Sequence, residues 1–304
     1  MSDGRCRAER LFVFRGGDLL LPHGCRGADG RLSVEKGAEA TLALLDGLPL
    51  AARRDYPSGG LACAAIRILP PAAPAVGAGP VGPVGPGATG PGSPGSAPGI
   101  AGAEPPPAGF DAIPFRSALA ELPAEEASRA AKGLSLLNWH DVARYCGACG
   151  AALEDDAKEG WTNGARRCSG CGRVFYPRVS PAVIILVRRG DRILLAHNAA
   201  FPQGRFGLIA GFVEPGEGIE ETARRELREE TSLEVSSLRY VSSQPWPFPD
   251  SLMLAFEAEW ASGEATPDGV ELTELRWCGR DDLPAIPPPG SVARRLIDRW
   301  LEGR

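Results

Sequence analysis

Residues 211–233 read GFVEPGEGIEETARRELREETSL, and this stretch decides the fold of the region around it. Glu226, Glu229 and Glu230 stand at positions i, i+3 and i+4, a spacing that places them on one face of a helix. Three carboxylates on one face repel each other unless a cation joins them. Hard oxygen ligands favour Mg²⁺ or Mn²⁺, which usually keeps waters and binds substrate phosphates. The stretch therefore predicts a helix that carries a divalent-metal site.

A plainer interpretation of the same stretch is a solvated helix with exposed ion pairs. Glu221 and Arg225 stand at i and i+4, the spacing at which such pairs stabilise a surface helix. Arg225 could equally orient a neighbouring carboxylate. An apolar strand, FGLIAG at 206–211, comes just before the helix and favours the metal-binding interpretation.

The chain around this helix has an α/β pattern from residue 181 on. PAVIILVRR and RILLAHN predict two strands joined by a Gly190-Asp191 turn, and LEVSSLRYVSS, LMLAFEAEW and LTELRWCG predict three more. SVARRLIDRWLE predicts a closing amphipathic helix. Its apolar face consists of Val292, Leu296, Ile297 and Trp300.

Two C-x-x-C pairs precede the α/β region, and they are formed by Cys146 with Cys149 and Cys168 with Cys171. Each pair brings two thiolates to one metal, and two pairs complete a tetrahedron with no open position. The glycine after each pair allows the tight backbone turn that such a loop needs. The alternatives are four unpaired thiols or a redox pair. The spacing favours one structural Zn²⁺ per chain.

The remaining sequence divides into segments of different composition. Residues 1–69 predict a small, mostly β domain, in which LFVFRGGDLLLP is a hairpin signal. Residues 70–109 are mostly Pro, Gly, Ala, Val and Ser, and predict a flexible linker or insertion. Residues 110–143 predict a helical remainder of the N-terminal domain, with a break near Gly133. We further expect a zinc ribbon at 144–178 and a catalytic domain at 179–304.

The composition excludes some classes of protein. The 304 residues include 33 Lys and Arg against 38 Asp and Glu, a formal net charge of −5. That balance argues against binding nucleic acid through bulk positive charge, although a local basic groove stays possible. No run of 18 apolar residues appears, and the N-terminus has no apolar stretch of signal-peptide length. We therefore expect a cytoplasmic protein with no membrane partner.

The stretch 211–233 resembles the Nudix box, G-x5-E-x7-R-E-U-x-E-E-x-G-U, where U is a bulky aliphatic residue. The match departs at one position, because Ser232 stands where the family has glycine. That glycine follows the helix, where a left-handed turn is common. The matching residues are Gly211, Glu217, Arg225, Glu226, Leu227, Glu229, Glu230 and Leu233.

A second segment, SQPWPFPDS at 243–251, resembles the SQPWPFPxS signature of the NADH pyrophosphatase branch of the Nudix family. Its three prolines predict an ordered, extended loop. Trp246 and Phe248 offer flat faces on which a nicotinamide or adenine ring could stack, and Gln244 and Ser251 could hydrogen-bond a polar edge. The alternative from chemistry alone is a rigid loop whose aromatic side chains pack into the core.

The resemblance also implies roles for residues outside these two motifs. It implies that the Ala210 carbonyl and Glu271 complete the divalent-metal site with Glu226, Glu229 and Glu230. It implies substrate contacts at Tyr176, Phe212 and Ala293, with Arg116 and Glu159 as further candidates. It further implies a Nudix fold, an α/β/α sandwich with a mixed sheet, preceded by the zinc ribbon and the small mostly-β domain.

The activity implied is hydrolysis of NAD(H) to NMN(H) and AMP with Mg²⁺ or Mn²⁺, and removal of NAD caps from RNA 5′ ends. Arg225, Glu226, Glu229 and Glu230 would be the catalytic residues, and a homodimer is expected. A first alternative is Nudix hydrolysis of ADP-ribose, a dinucleoside polyphosphate or a sugar nucleotide. A second is a non-catalytic module that senses nucleotide.

Overall fold

A computed structural model describes most of the chain. The described residues are 10–15, 17–23, 25, 32, 50–58, 61–68, 105–156 and 164–303. Residues 70–104 of the predicted Pro/Gly-rich segment lie outside them, as does the candidate substrate contact Glu159.

The N-terminal part of the chain forms a five-stranded sheet in the order β3-β4-β1-β2-β5. β1 and β2 form the antiparallel hairpin that the sequence predicts, with Val13 opposite Leu20. β1 and β4 run parallel, and the other pairs are antiparallel. The strands are β1 (Arg10–Arg15), β2 (Asp18–Pro22), β3 (Leu50–Ser58), β4 (Leu61–Ile68) and β5 (Phe110–Pro114).

Two helices cover one face of this sheet, α1 (Phe115–Glu121) and α2 (Ala124–Val142). The predicted break near Gly133 is wrong, because α2 continues through that residue, which is buried. Burial of Ala130, Leu134 and Leu137 in the core offsets the weak helix propensity of glycine, which costs about 1 kcal/mol. The break lies instead at Pro123, because proline has no backbone N–H to donate to a helical hydrogen bond.

A small three-stranded sheet follows α2 and carries the cysteine pairs. β6 (Leu153–Asp155), β7 (Arg166–Cys168) and β8 (Val174–Phe175) pair antiparallel in that order. Leu153 and Cys168 are buried between the sheet and Trp139 at the end of α2.

The C-terminal part is built on a six-stranded mixed sheet in the order β12-β13-β9-β10-β14, with β11 paired to β9. β9 runs parallel to β13 and antiparallel to β10 and β11. The elements are β9 (Ser180–Arg189), β10 (Arg192–Asn198), β11 (Ile209–Phe212), α3 (Ile219–Thr231), β12 (Glu234–Trp246), β13 (Ser251–Ser262), β14 (Leu272–Cys278) and α4 (Val292–Leu301).

β9 is the central strand because its apolar run is buried on both faces. Val183 and Ile185 face the apolar side of α3, whereas Ile184 and Leu186 face α4. The predicted face of the closing helix is buried, including Leu296. One helix therefore packs on each face of a mixed sheet, which confirms the predicted α/β/α sandwich.

The turn between β12 and β13 joins this sandwich to the N-terminal helices. Phe248 packs against Phe115, with ring centroids 6.1 Å apart. The Asn138 amide nitrogen on α2 donates to the carbonyls of Pro247 (3.1 Å) and Pro249 (2.8 Å). Among the described residues, no helix has both the length and the apolar composition needed to cross a bilayer.

Candidate functional site

The predicted acidic helix is α3, and its two ends are fixed by the residues next to it. At its start the Glu221 carboxylate accepts from the backbone N–H of Gly218 (2.8 Å). At its end Ser232 adopts the left-handed conformation, with φ 59° and ψ 24°. Among the described residues it is the only non-glycine residue with positive φ. Serine thus takes the conformation for which the family sequence has glycine.

Arg225 is the hydrogen-bonding centre of the acidic face. It donates to Glu217 (2.6 Å), Glu226 (2.8 Å) and Glu229 (3.0 Å), and to the carbonyl of Phe212 on β11 (3.0 Å). Bonding to Arg225 lowers the pKa of Glu217 to about 2. The guanidinium therefore ties the helix, the loop before it and β11 together.

Glu226 and Glu230 are buried, whereas Glu229 is largely exposed. Burial, together with the nearby charges of Glu226, Glu271 and Asp268, raises the pKa of Glu230 to about 8. Burial also raises the pKa of Glu226, against the effect of Arg225. No side chain of the described part of the chain hydrogen-bonds to Glu230. A buried carboxylate that lacks a positive partner suits a bound cation, so this donor set fits the predicted divalent metal.

Gly211 on β11 makes room for the acidic face. A Cβ atom at this position would overlap the carboxylate group of Glu226. The neighbouring residues Ala210 and Phe212 are partly buried at the edge of the apolar cluster under α4. The sequence motif identified Gly211 as a match but gave no reason for it, and the reason is this close approach to Glu226.

Asp268 is a residue of this region that the sequence analysis missed. Its carboxylate accepts from the backbone N–H groups of Val270 (3.3 Å), Glu271 (3.1 Å) and Leu272 (2.8 Å). It thereby fixes the turn that brings Glu271 close enough to raise the pKa of Glu226 and Glu230. The Asp-Gly pair at 268–269 is a turn signal that could have indicated this role.

Gln244 connects the signature loop to the start of α4. Its amide nitrogen donates to the carbonyl of Gly290 (2.8 Å), and its side-chain oxygen accepts from the N–H of Val292 (2.7 Å). Ala293, the next residue of α4, is buried against the same cluster as Phe212. The loop and the helix start are therefore held in a fixed relation.

The two aromatic side chains of the loop lie side by side with Arg116 of α1. The Trp246 and Phe248 rings meet edge to face, with centroids 5.0 Å apart. The Arg116 guanidinium lies 4.3 Å from the Phe248 centroid and 5.2 Å from that of Trp246. Both rings are partly exposed. The Ser251 hydroxyl is buried with no hydrogen-bond partner among the described residues.

The predicted site residues thus form two groups. The first lies around α3 and β11, and the second around the loop and the start of α4. Phe212 and Trp246, one from each group, pack against the same apolar cluster. Tyr176 is exposed between β8 and β9, and within the described chain no hydrogen bond or ring contact joins it to either group. The first group contains Ala210, Phe212, Arg225, Glu226, Glu229, Glu230 and Glu271, and the second Gln244, Trp246, Phe248, Ser251 and Ala293.

The four predicted cysteines converge, with their sulfur atoms within 4.8 Å of one another. Cys146 and Cys171 are 3.7 Å apart and Cys149 and Cys168 are 3.4 Å apart, measured between sulfurs. A tetrahedral zinc with bonds of about 2.3 Å separates its sulfurs by about 3.8 Å. These four side chains could therefore hold a zinc ion.

Backbone geometry supports the cysteine cluster. Gly150 and Gly172 follow the two pairs and have φ of 73° and 72°, as the sequence predicts for such turns. A hydrogen bond from the Cys171 N–H lowers the pKa of the Cys168 thiol to about 6. At Cys168 the thiolate, which is the form that binds metal, is thus favoured.

The acidic residues converge less tightly than the cysteines. Of the residues described, only the four cysteines form a group of three or more such ligands within 4.8 Å of each other. A wider carboxylate arrangement is compatible with Mg²⁺, because that ion usually keeps several of its waters.

The sequence of this chain matches the NUDIX domain over residues 178–301. It is 47% identical over 169 residues to "NAD-capped RNA hydrolase NudC" of Escherichia coli O1:K1 / APEC, and equally to that of Escherichia coli strain SMS-3-5 / SECEC. The match covers 56% of this chain and 64% of each relative, which is less than two thirds of their length.

Among solved structures, the chain is similar to the crystal structure of a NUDIX hydrolase from Nitrosomonas europaea. It is 26% identical in sequence, with a TM-score of 0.47, and the alignment covers 53% of this chain and 92% of that one.

Proposed function

From the match of residues 178–301 to the NUDIX domain, we propose that the protein hydrolyses the pyrophosphate of NAD(H) to NMN(H) and AMP. The proposal includes removal of NAD caps from RNA 5′ ends, the activity named for the 47% identical relatives. The observation that carries it is the acidic face of α3, where buried Glu226 and Glu230 lie beside the Arg225 hydrogen-bond network.

Glu226, Glu229, Glu230, Glu271 and the Ala210 carbonyl would hold Mg²⁺ or Mn²⁺. A divalent cation there would neutralise the pyrophosphate and lower the pKa of a bound water. Arg225 keeps the carboxylates of Glu226 and Glu229 in place. Glu229 or Glu230 would accept the proton of the water that attacks phosphorus, and the bridging P–O bond then breaks.

The loop at 243–251 would select the substrate. The pyrophosphate chemistry is the same for all dinucleotides, so a preference for NAD(H) requires contacts to its rings. Trp246 and Phe248 support this role because both rings are partly exposed beside Arg116. Phe212 and Ala293 lie around the same apolar cluster and would complete the walls, with Tyr176, Gln244 and Ser251 as further contacts.

Cys146, Cys149, Cys168 and Cys171 would bind one structural zinc per chain, which would brace the ribbon between α2 and the NUDIX domain. Metal analysis of protein purified without chelator should give one zinc. Cys168→Ser should lose it and lower the melting temperature, because binding of a structural zinc contributes to folding free energy. Cys278→Ser, which changes a buried cysteine outside the cluster, should keep the zinc.

Product analysis of the purified protein tests the activity. NADH, NAD⁺ and a short NAD-capped RNA are incubated with Mg²⁺ or Mn²⁺, alongside ADP-ribose and a dinucleoside polyphosphate. We expect NMN(H) and AMP from the dinucleotides and a 5′-monophosphate RNA from the capped one. Faster cleavage of ADP-ribose or the polyphosphate would indicate the first alternative, and no cleavage of any substrate the non-catalytic one.

The proposal extends to the assembly and location of the protein, a homodimer in the cytoplasm. Both rest on the resemblance to the NADH pyrophosphatase branch. Light scattering on the purified protein measures the assembly, and a mass of one chain would contradict the dimer.

A further inference from the structure

A cavity of about 330 Å³ lies between β12 and α4, outside the two groups of predicted site residues. Val241 and Ser242 form its wall on the strand. The helix contributes charged side chains from successive turns. These are Arg295, Asp298 and Arg299, and Glu302 lies directly after the end of the helix. Its volume lies at the lower end of the range of small-molecule sites, about 300–1,000 Å³.

Around this cavity four guanidiniums face three carboxylates, although the chain as a whole is acidic. Asp298 is paired with Arg294 (2.8 Å). Glu257 is buried and is shared by two guanidiniums, because Arg239 and the cavity residue Arg299 both pair with it. One carboxylate thus serves two cations. With Glu302 as the third carboxylate, the guanidiniums of Arg239, Arg294, Arg295 and Arg299 leave a net excess of one positive charge.

Arg295 also lines the cavity, and no carboxylate of the described residues forms an ion pair with it. Its one side-chain hydrogen bond is a long one to the Gly290 carbonyl, 3.5 Å. Desolvation lowers the pKa of Arg295, the direction expected when no counter-ion compensates. A guanidinium with free N–H groups at the edge of a cavity is a good donor for a phosphate.

The cavity is connected to the proposed substrate loop through the backbone. The Gly290 carbonyl that Arg295 contacts is the same one that Gln244 binds. Ser242 in the cavity wall precedes Trp246 by four residues on β12. At about 3.3 Å per residue, four residues of strand span about 13 Å. A substrate longer than a dinucleotide could extend from the loop to the cavity.

We propose that this cavity binds a phosphate group of the RNA chain that follows the NAD moiety of an NAD-capped RNA, with Arg295 as its charged ligand. This assignment rests on the proposed function and adds to it a contact that NAD(H) itself does not use. Arg299 and the Ser242 hydroxyl complete the anion site, and the net excess of one positive charge around the cavity favours it.

The test compares the full-length protein with Arg295→Gln on two substrates, NAD⁺ and NAD-capped RNA of about six nucleotides. We expect kcat/KM for the capped RNA to fall about fivefold or more, with kcat/KM for NAD⁺ changed less than about twofold. The dependence of log KM on log salt for the capped RNA should lose about one unit of slope, as for one phosphate contact. Arg192→Gln removes the same charge from an exposed position at the start of β10, and it should affect neither substrate.

Equal losses on NAD⁺ and capped RNA would overturn the proposal, because Arg295 would then act on the dinucleotide site through Gly290. No loss on either substrate would overturn it as well.

Direct binding separates this proposal from the proposed function. Fluorescence anisotropy with an uncapped 5′-monophosphate RNA measures the contact even if the protein cleaves neither substrate. Arg295→Gln should weaken this binding and Arg192→Gln should not. A variant that loses binding of inorganic phosphate but keeps RNA binding would assign the cavity to a free anion and contradict the RNA assignment.

Discussion

The backbone of Gly211 lies so close to the Glu226 carboxylate that a Cβ atom at position 211 would overlap it. These residues belong to different elements, β11 and α3, and Arg225 bridges the same elements through the Phe212 carbonyl. The position of a proposed metal ligand thus depends on the absence of a side chain on the neighbouring strand.

Gly211→Ala should lower turnover by about tenfold or more, because it displaces Glu226 from the face that it shares with Glu230. Steady-state kinetics with NADH at saturating Mg²⁺ or Mn²⁺ measures the effect. Gly17→Ala is the control, since a Cβ at Gly17 meets no atom within 4 Å. Wild-type turnover in the Gly211 variant would show that catalysis does not require Glu226 in its present position.

Glu230→Gln should lower turnover by at least about a hundredfold, as expected for loss of a metal ligand or base, with a smaller effect on substrate affinity. The matched control is Glu220→Gln, an exposed glutamate in the first turn of the same helix. Near-normal turnover in a folded Glu230 variant would remove this residue from the mechanism.

The same variant should change how stability depends on pH. Burial raises the pKa of Glu230 from 4.5 to about 8, so the folded protein holds this proton more tightly than the unfolded one. Stability without added divalent metal should therefore fall as pH rises from about 4.5 through about 8. Glu230→Gln removes that loss, and at pH 9 it should be more stable than the wild type by about 1 kcal/mol or more.

Chemical unfolding at pH 5 and pH 9 in buffer without Mg²⁺ or Mn²⁺ measures this difference. The free energies of unfolding of the wild type and Glu230→Gln should differ least at pH 5. Glu220→Gln should have the stability of the wild type at both pH values. A Glu230 variant that gains nothing at pH 9 would show that another group compensates the buried charge.

Trp246→Ala should lower kcat/KM for NADH by about ten- to two-hundredfold, the equivalent of about 1–3 kcal/mol of ring stacking. Phe248→Ala should lower it too, and should also lower the melting temperature because Phe248 packs against Phe115. The metal dependence should stay unchanged. Tyr240→Ala, an aromatic change on β12 outside the loop, serves as the control. If both loop variants keep the preference for NADH, the aromatic side chains of the loop contribute only to packing and not to substrate selection.

Ser232→Gly should stabilise the protein by about 0.5–1 kcal/mol. A non-glycine residue in the left-handed region lowers stability by about 1–2 kcal/mol, which glycine at this position would restore. The greater freedom of glycine in the unfolded chain offsets part of this gain. Ser237→Gly on β12 is the control and should destabilise, because its φ is not positive. Thermal unfolding measures both effects. A lower melting temperature for Ser232→Gly would contradict the claim that Ser232 is strained.

The sequence by itself determined the features that depend on residues close together in the chain. The α3 face follows from a spacing of three and four residues, and the cysteine turns follow from C-x-x-C-G. The strands and the buried face of α4 follow from apolar periodicity. The break predicted near Gly133 failed because the packing of α2 outweighs the local propensity of one residue.

Only the tertiary structure decided which distant segments meet. Gln244 binds the start of α4, 48 residues further along the chain, and Arg116 lies over two rings of a loop that local patterns could not locate. The space that Gly211 leaves for Glu226 and the approach of Glu271 and Asp268 to Glu230 are likewise set by packing. Local spacing fixes which face a side chain takes, whereas burial and close packing of whole elements fix its neighbours, and the pKa of a buried carboxylate depends on those neighbours.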